Sequence, residues 1–323
     1  MQDLATGGAA GVGGIDPRLD LAEEIDRLRH ERDAIILAHY YQEGEIQDLA
    51  DVVGDSLALA QAAAKHKKKV IAFAGVHFMA ETAKILNPES TVVVPDLAAG
   101  CSLADRCPPD EFRAFLDRHP GHVVISYVNC SAAVKAMSDI ICTSGNAEKI
   151  VRSVPADQPI VFAPDQWLAR FIIKKTGRPM VYWPGSCIVH EVFNAQQIAR
   201  LKVQHPGALV IAHPECEEPV LALADYIGST KGLLEFSQRS SATTFIVATE
   251  AGILHQMRKA DPAKTYIPAP TNEGCACNLC PHMKLNTLEK LYLCLRDLTN
   301  QIVMDEQLRL RALKPLQRML ELS

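Results

Sequence analysis

Short apolar runs rich in β-branched residues alternate along most of the chain with segments whose apolar positions recur at helical spacing. DAIILAHY reads as a buried strand, QDLADVVGDS as a helical turn running into a second strand, and SLALAQAAAKH as a helix. VIAFAG and TVVVPD supply two further strands. The order then recurs as HVVISYVN, SDIICTS, a helix over about 146–154, PIVFAP and PMVYWPG. A third round gives ALVIAHPE, ADYIGST, GLLEFSQRS, TTFIVATE and KTYIPAP.

The rounds are in register. Asp51, Asp139 and Asp225 are spaced by 88 and 86 residues, and so are Tyr41, Asn129 and Glu215, and Ser56, Ser144 and Thr230. Short strands alternating with helices imply parallel sheets covered on both faces, and hence an α/β fold class. Short strands alone also fit one large sheet, but the fixed spacing favours three homologous three-layer α/β/α domains with short parallel sheets. Their expected ranges are 16–107, 108–195 and 196–282. Residues 1–15, with ATGGAAGVGG, read as a flexible tail, and 283–323 as C-terminal helices packing back on the domains. Asp16-Pro17 is an N-cap signal with proline at the first helical position, leaving Leu19, Leu21, Ile25 and Leu28 for a buried side. Leu288, Leu291, Leu295 and Leu298 form one face of a closing helix, with Cys294 on the same core stripe.

At 323 residues, 48% apolar and 22% charged, the chain can bury ordinary cores. No run suits a membrane span or a signal peptide, and ten cysteines then point to a reducing compartment, with the cytoplasm expected. A formal charge of −5 argues against a nucleic-acid partner. The one dense basic patch, Lys65 to Lys69, reads as a solvated helix end. Walker A, dinucleotide-fingerprint and His-Glu-x-x-His patterns are missing, and so is the cysteine spacing of radical adenosylmethionine chemistry.

Parallel α/β sheets bind ligands beyond the carboxyl ends of their strands, where His39/Tyr41, Tyr127/Asn129 and His213/Glu215 stand. Residues two apart share a face, so each pair can enter one cavity. Ser56, Ser144 and Thr230 close the second strands and open helices, where free amides and the helix dipole favour an anion. Together they predict a cavity for a ligand with several negative groups. Cys101, Cys187 and Cys280 follow late strands of the three rounds. Three thiolates from three domains suit an iron–sulfur cluster with one iron lacking a protein ligand. Structural zinc on Cys275, Cys277 and Cys280 is the rival, which leaves Cys101 and Cys187 unexplained.

The segments ILAHYYQ, GDSLALA, AGCSLAD, YVNCSAAVKA, CTSGNA, PGSCIVH, AHPEC, IGSTKG and CPHMKLNTL closely resemble the quinolinate synthase family, and the resemblance covers the chain beyond its N-terminal tail. It implies a pseudo-threefold arrangement of the three domains around a central cavity. It also implies a [4Fe-4S] cluster held by Cys101, Cys187 and Cys280, the last by its Cys-Pro-x-Met context. Cys275 and Cys277 lie close enough to compete and otherwise read as spare loop thiols, a redox-sensitive pair being the other reading. The implied substrates are iminoaspartate and dihydroxyacetone phosphate. They are condensed to quinolinate for NAD biosynthesis with loss of phosphate and water, the open iron acting as Lewis acid for dehydration. His39, Ser56, Asn129, Ser144, His190, His213 and Thr230 are then expected to bind carboxylates or phosphate, and Tyr41, Tyr127 and Glu215 to move protons. An L-aspartate-oxidising enzyme that supplies iminoaspartate is the implied protein partner. The alternative is a non-catalytic iron–sulfur sensor that binds a dicarboxylate.

Overall fold

The computed structural model describes residues 14–272 and 278–323. Most of the expected tail, and both Cys275 and Cys277, therefore lie outside the described residues.

Among the described residues, twelve strands form three four-stranded parallel sheets, each contiguous in sequence. The first contains β1 (Ala34–His39), β2 (Val52–Gly54), β3 (Val70–Ala74) and β4 (Thr91–Val93), in the order β2-β1-β3-β4. The second contains β5 (Val123–Tyr127), β6 (Ile140–Cys142), β7 (Ile160–Ala163) and β8 (Val181–Tyr182), in the order β6-β5-β7-β8. The third contains β9 (Leu209–Ala212), β10 (Tyr226–Ile227), β11 (Thr244–Ala248) and β12 (Thr265–Pro268), in the order β10-β9-β11-β12. In each, the chain steps from the first strand to one side and then crosses to the other. That reversal opens a crevice at the carboxyl end of β1, β5 or β9.

The repeated aspartates have a structural explanation. Asp51, Asp139 and Asp225 each stand just before the second strand and accept from a backbone N–H of the first strand. The contacts are Ile36 N to Asp51 at 2.8 Å, Val124 N to Asp139 at 2.7 Å and Val210 N to Asp225 at 2.8 Å. Each aspartate also donates its own N–H to the carbonyl of that same residue. The carboxylate extends the ladder past the short second strand and fixes its register.

The first strands bury both faces by alternation. Ile35 and Leu37 of β1, Ile125 and Tyr127 of β5, and Ile211 of β9 belong to one core shared by all three sheets. Their neighbours Ile36 and Ala38, Val124, and Val210 and Ala212 enter three separate outer cores. Helices Ser56–Lys65, Ala147–Ser153 and Thr230–Arg239 contribute buried residues to the shared core. Helix Leu288–Asp297 covers the outer face of the first sheet with Leu291, Leu295 and, as expected, Cys294. Helix Glu306–Glu321 ties the first two sheets together: Arg309 donates to the Ile85 carbonyl at 3.0 Å, and Leu316 and Met319 enter the shared core.

The expected helix start at Asp16-Pro17 is corrected. The first helix spans Leu21–Glu31 and is capped by Asp20, which accepts from the N–H groups of Ala22 and Glu23. Asp16 is instead paired with Arg18 at 2.7 Å, and Leu19 is exposed, whereas Ile25 and Leu28 are buried.

Candidate active site

All thirteen candidate residues line one cavity of about 700 Å³, its open mouth included. Strand ends bring the polar groups there. His39 closes β1 and Tyr127 closes β5, while His213 directly follows β9. After two of these strands the chain makes the same turn: His39 Nδ1 accepts from Tyr41 N–H at 3.1 Å, and His213 Nδ1 accepts from Glu215 N–H at 3.4 Å. Each ring thus carries its proton on Nε2, and His213 Nε2 meets Ser144 Oγ at 3.1 Å.

The helix starts differ in detail from the sequence expectation. Ser56 and Thr230 are first helical residues, but the caps are their predecessors Asp55 and Ser229, which accept from Ala58 N–H and Gly232 N–H. Ser144 precedes Asn146, the cap of the next helix, and lies in the turn after β6 rather than at a helix start. Because Asp55 and Ser229 take the work of satisfying first-turn amides, the hydroxyls of Ser56 and Thr230 are left to face the cavity or its other walls, whereas Asn146 makes no side-chain cap bond and Ser144 meets His213 instead.

Glu215 is the electrostatic centre. Its Oε1 accepts from Tyr127 O–H at 2.5 Å, and its Oε2 lies 2.9 Å from His190 Nδ1, a contact that lacks hydrogen-bond alignment. His190 and His213 stack with ring centroids 4.7 Å apart. Burial pushes the Glu215 carboxyl up, but His213, His190 and the Tyr127 hydroxyl outweigh it and bring the group down to about 2. Burial drives His39 and His213 down to about 3 each, so both rings are neutral at pH 7. Tyr127 is held well above its ordinary range by burial and by the Glu215 charge. Burial does the same to Tyr41, whose hydroxyl bonds Thr230 Oγ1 at 2.9 Å and Thr249 Oγ1 at 2.8 Å. On the wall formed by the second sheet, Asn129 Oδ1 is buried without a partner, an atom that a bound ligand would satisfy.

Cys101, Cys187 and Cys280 come from loops that follow different sheets, are half-buried and free, and reach the same cavity. All eight cysteines among the described residues are free. Burial raises the Cys101 thiol to about 12 and Cys187 well above its ordinary range. Desolvation makes all three thiols resist ionisation, and they become thiolates when a soft cationic group takes them, so the donor set fits a thiolate-bound metal. Cys187, His190 and Glu215 also place donor atoms within 4.8 Å of one another. Glu215 already engages Tyr127 through one oxygen, however, and His190 Nε2 is bound to Thr249 at 2.9 Å. A metal on that second set would compete with the hydrogen bonds that order Tyr127, Glu215 and His190.

Two residues that organise the site were missed in the sequence. Thr249 and Glu250 follow β11, both fully buried. Glu250 accepts from Cys280 N–H at 3.1 Å and Gly252 N–H at 2.6 Å, beside Lys284 at 3.6 Å. Their signal was TTFIVATE, the one third-strand run that ends in two polar residues.

A family model described as Quinolinate synthetase A protein matches residues 23–321. A quinolinate synthase of Microcystis aeruginosa is 62% identical over 304 residues, covering 94% of this chain and 95% of the relative. One from Trichormus variabilis is 61% identical over 305 residues, 94% of each chain. One from Chloroherpeton thalassium is 60% identical over 307 residues, 95% of each. With identity at this level along nearly its whole length, and with the buried titratable groups and thiols gathered in one cavity, the chain belongs to the quinolinate synthase family.

Proposed function

We propose that this cavity condenses iminoaspartate with dihydroxyacetone phosphate and closes the ring to quinolinate, releasing phosphate and water. Enzymatic activity in NAD biosynthesis follows from family membership, which gives no support to a non-catalytic sensor. The choice of substrates and the residue roles are our reading. Its central support is the 2.5 Å Tyr127–Glu215 pair, an acid and a base held together in the cavity that the three thiols reach.

The substrates carry carboxylates and a phosphate. Ser56, Ser144 and Thr230 offer hydroxyls beside helix starts, and neutral His39 and His213 offer ring N–H groups, so the cavity binds anions by hydrogen bonds rather than by a cluster of cations. Asn129 supplies a further amide, and His190 borders the carboxylate of Glu215. Carbon–carbon bond formation requires a proton to leave the carbon beside the imine, and Glu215, ionised and buried, is the assigned base. Tyr127, hydrogen-bonded to that base, returns a proton to a departing or newly formed oxygen. Tyr41 serves the proton transfers of carbonyl isomerisation and imine closure.

Cys101, Cys187 and Cys280 are the proposed ligands of a [4Fe-4S] cluster, and Cys275 and Cys277 are spare thiols. When bound, the cluster would supply Lewis acidity to a substrate oxygen through its iron without a protein ligand. The three units 16–107, 108–195 and 196–282, with 283–323 packed on them, are taken as a pseudo-threefold set around the cavity. Among the described residues no helix is long and apolar enough to cross a membrane. Free cysteines and an oxygen-sensitive cluster favour the reducing cytoplasm, with an L-aspartate-oxidising enzyme as the supplier of iminoaspartate.

The decisive assay is anaerobic reconstitution followed by product analysis. The expected result is about four irons per chain and quinolinate from the two named precursors. Cluster-loaded protein that makes no quinolinate would sink the proposal.

A further inference from the structure

Lys135 is fully buried at the end of the short helix Ala132–Lys135, which follows β5 and the cavity residue Asn129. Its ammonium donates to the Cys130 carbonyl and stands 5.3 Å from the centroid of the Phe78 ring. Among the described residues no carboxylate lies within ion-pair distance of it. Glu81, one turn on from Phe78 in helix His77–Leu86, accepts instead from Ala132 N–H at 3.0 Å. A carbonyl and an aromatic face recover only part of what an ammonium loses on leaving water, so this charge lacks the partner that buried charges ordinarily have.

The cavity has the opposite imbalance. No lysine or arginine lines it, whereas two carboxylates, Asp55 and Glu215, do. An anion entering it is repelled by both, and hydroxyls and neutral imidazoles answer with dipoles only. Lys284 reaches the Tyr41 carbonyl, but its charge is already met by Glu43 at 3.3 Å and Glu250 at 3.6 Å. Arg106 is likewise met by Glu191 at 3.3 Å. Lys135 is the cation left over, and it stands behind two parts of the wall: Phe78 lines the cavity, and so does Asn129, the residue before the carbonyl that Lys135 holds. A unit charge one aromatic ring away, at the effective dielectric of a protein interior, changes the affinity of each unit of ligand charge by roughly tenfold.

We propose that Lys135 is a positioning residue for the anionic substrate: its unpaired charge, acting across Phe78, takes the carboxylates or phosphate of the bound ligand as its counter-charge. This rests on the reading of the cavity as an anion site made above. The bland role, fixing the Cys130 turn by one hydrogen bond, makes a different prediction, because a neutral donor would serve it and the number of charges on the ligand would not matter.

The test compares Lys135→Met, which removes the charge, Lys135→Gln, which keeps a donor without the charge, and Lys135→Arg, which keeps both. Each is made as anaerobically reconstituted holoenzyme with iron content and visible absorption matched to the parent. Calorimetry measures the affinity for malate, with two carboxylates, and competition against malate measures that for lactate, with one. Lys135→Met and Lys135→Gln are expected to weaken malate binding by about 10- to 100-fold and lactate binding by roughly the square root of that factor, because the Coulomb energy is proportional to ligand charge. Lys135→Arg is expected to stay within about threefold of the parent for both ligands. Parental malate affinity in Lys135→Gln would overturn the proposal, and so would equal losses for malate and lactate, which would mean that the lysine holds the cavity's shape. If Lys135→Met fails to fold, Lys135→Gln carries the test alone. Failure of both neutral variants to fold while Lys135→Arg folds would show that the charge serves the fold, and overturns the proposal equally. A parent holoenzyme that binds neither ligand would instead bring down the reading of the cavity as an anion site, and this inference with it.

Discussion

Tyr127 and Glu215, 88 residues apart, are joined by a 2.5 Å hydrogen bond between fully buried side chains. Tyr127 closes the first strand of the second sheet, and Glu215 follows the first strand of the third. The pair therefore exists only while those two sheets hold their relative placement, and the acid–base role proposed for it would be a property of the assembled cavity. Tyr127→Phe and Glu215→Gln are each expected to lower kcat by about 100-fold or more, as removal of a general acid or base does, while retaining iron and thermal stability close to the parent. A single-turnover assay with preformed holoenzyme checks this. Near-parental turnover in both variants would remove the pair from the mechanism.

Acid stability should follow the histidines. His39 titrates near 6.5 when exposed and is driven to about 3 by burial, with His213 adding to the effect. Between these values the unfolded chain binds a proton that the native state refuses, so stability rises with pH across that window. His39 contributes in full above about 6.5 and less as the pH falls toward 3, and His213, also held at about 3, acts in the same direction. Denaturant unfolding of metal-free protein at pH 7 and pH 5.5 should show lower stability at the acid value. His39→Gln should reduce that difference; an undiminished difference would count against a buried neutral His39.

The aspartate that recurs in each sheet has no partner in the chemistry and should be separable from it. Asp139 Oδ2 holds Val124 N–H at 2.7 Å. Removing the carboxylate in Asp139→Ala strands that partly buried N–H and is expected to destabilise the fold by about 1–3 kcal/mol. Turnover at a permissive temperature should survive. Equal melting temperatures for the two proteins would show that the latch contributes nothing.

The three thiols should be unequal to the two that lie outside the described residues. Cys101→Ala, Cys187→Ala and Cys280→Ala are each expected to lose the visible absorption of the reconstituted protein, and Cys275→Ala and Cys277→Ala to keep it. Iron content measured after gel filtration decides the matter. Retention in Cys280→Ala with loss in Cys277→Ala would reassign the third ligand.

Much of this site was legible because the chain states its first-strand pattern three times. His39/Tyr41, Tyr127/Asn129 and His213/Glu215 announce themselves as polar pairs closing apolar runs, and common spacing implies common placement. Other features need coordinates. Asp51, Asp139 and Asp225 mark the repeat in sequence, but their role as register latches depends on which backbone amide lies opposite. The helix start moved from Asp16 to Asp20 because both offer a capping carboxylate and Arg18 takes one of them. Thr249 and Glu250 escaped because the equivalent third strands end in Gly75-Val76 and Pro164-Asp165, so the spacing gave no polar column to notice. Asymmetry is where repeat-based reading fails, and here the asymmetric positions hold the polar contacts behind the cavity wall.

Glu250 carries the last prediction. Its carboxylate grips the Cys280 and Gly252 amides, and Lys284 links it onward by donating to the Tyr41 carbonyl at 3.0 Å. One buried side chain thus fixes the backbone of a proposed ligand loop to the end of β11, beside the hydroxyl that serves Tyr41. Burial raises Glu250 to about 7, against the pull of Lys284 and the two amides, so the carboxyl is poorly stabilised as an anion and depends on these partners. Glu250→Gln retains an acceptor for one amide at a time, whereas Glu250→Ala strands both. Ligand-orienting partners typically change metal affinity by about 10- to 100-fold, so Glu250→Ala should release iron to a chelator about that much faster than the parent, with Glu250→Gln between them. The loss should appear as bleaching under anaerobic chelation, independent of turnover. Identical bleaching rates in all three proteins would mean that the Cys280 loop is held by other contacts.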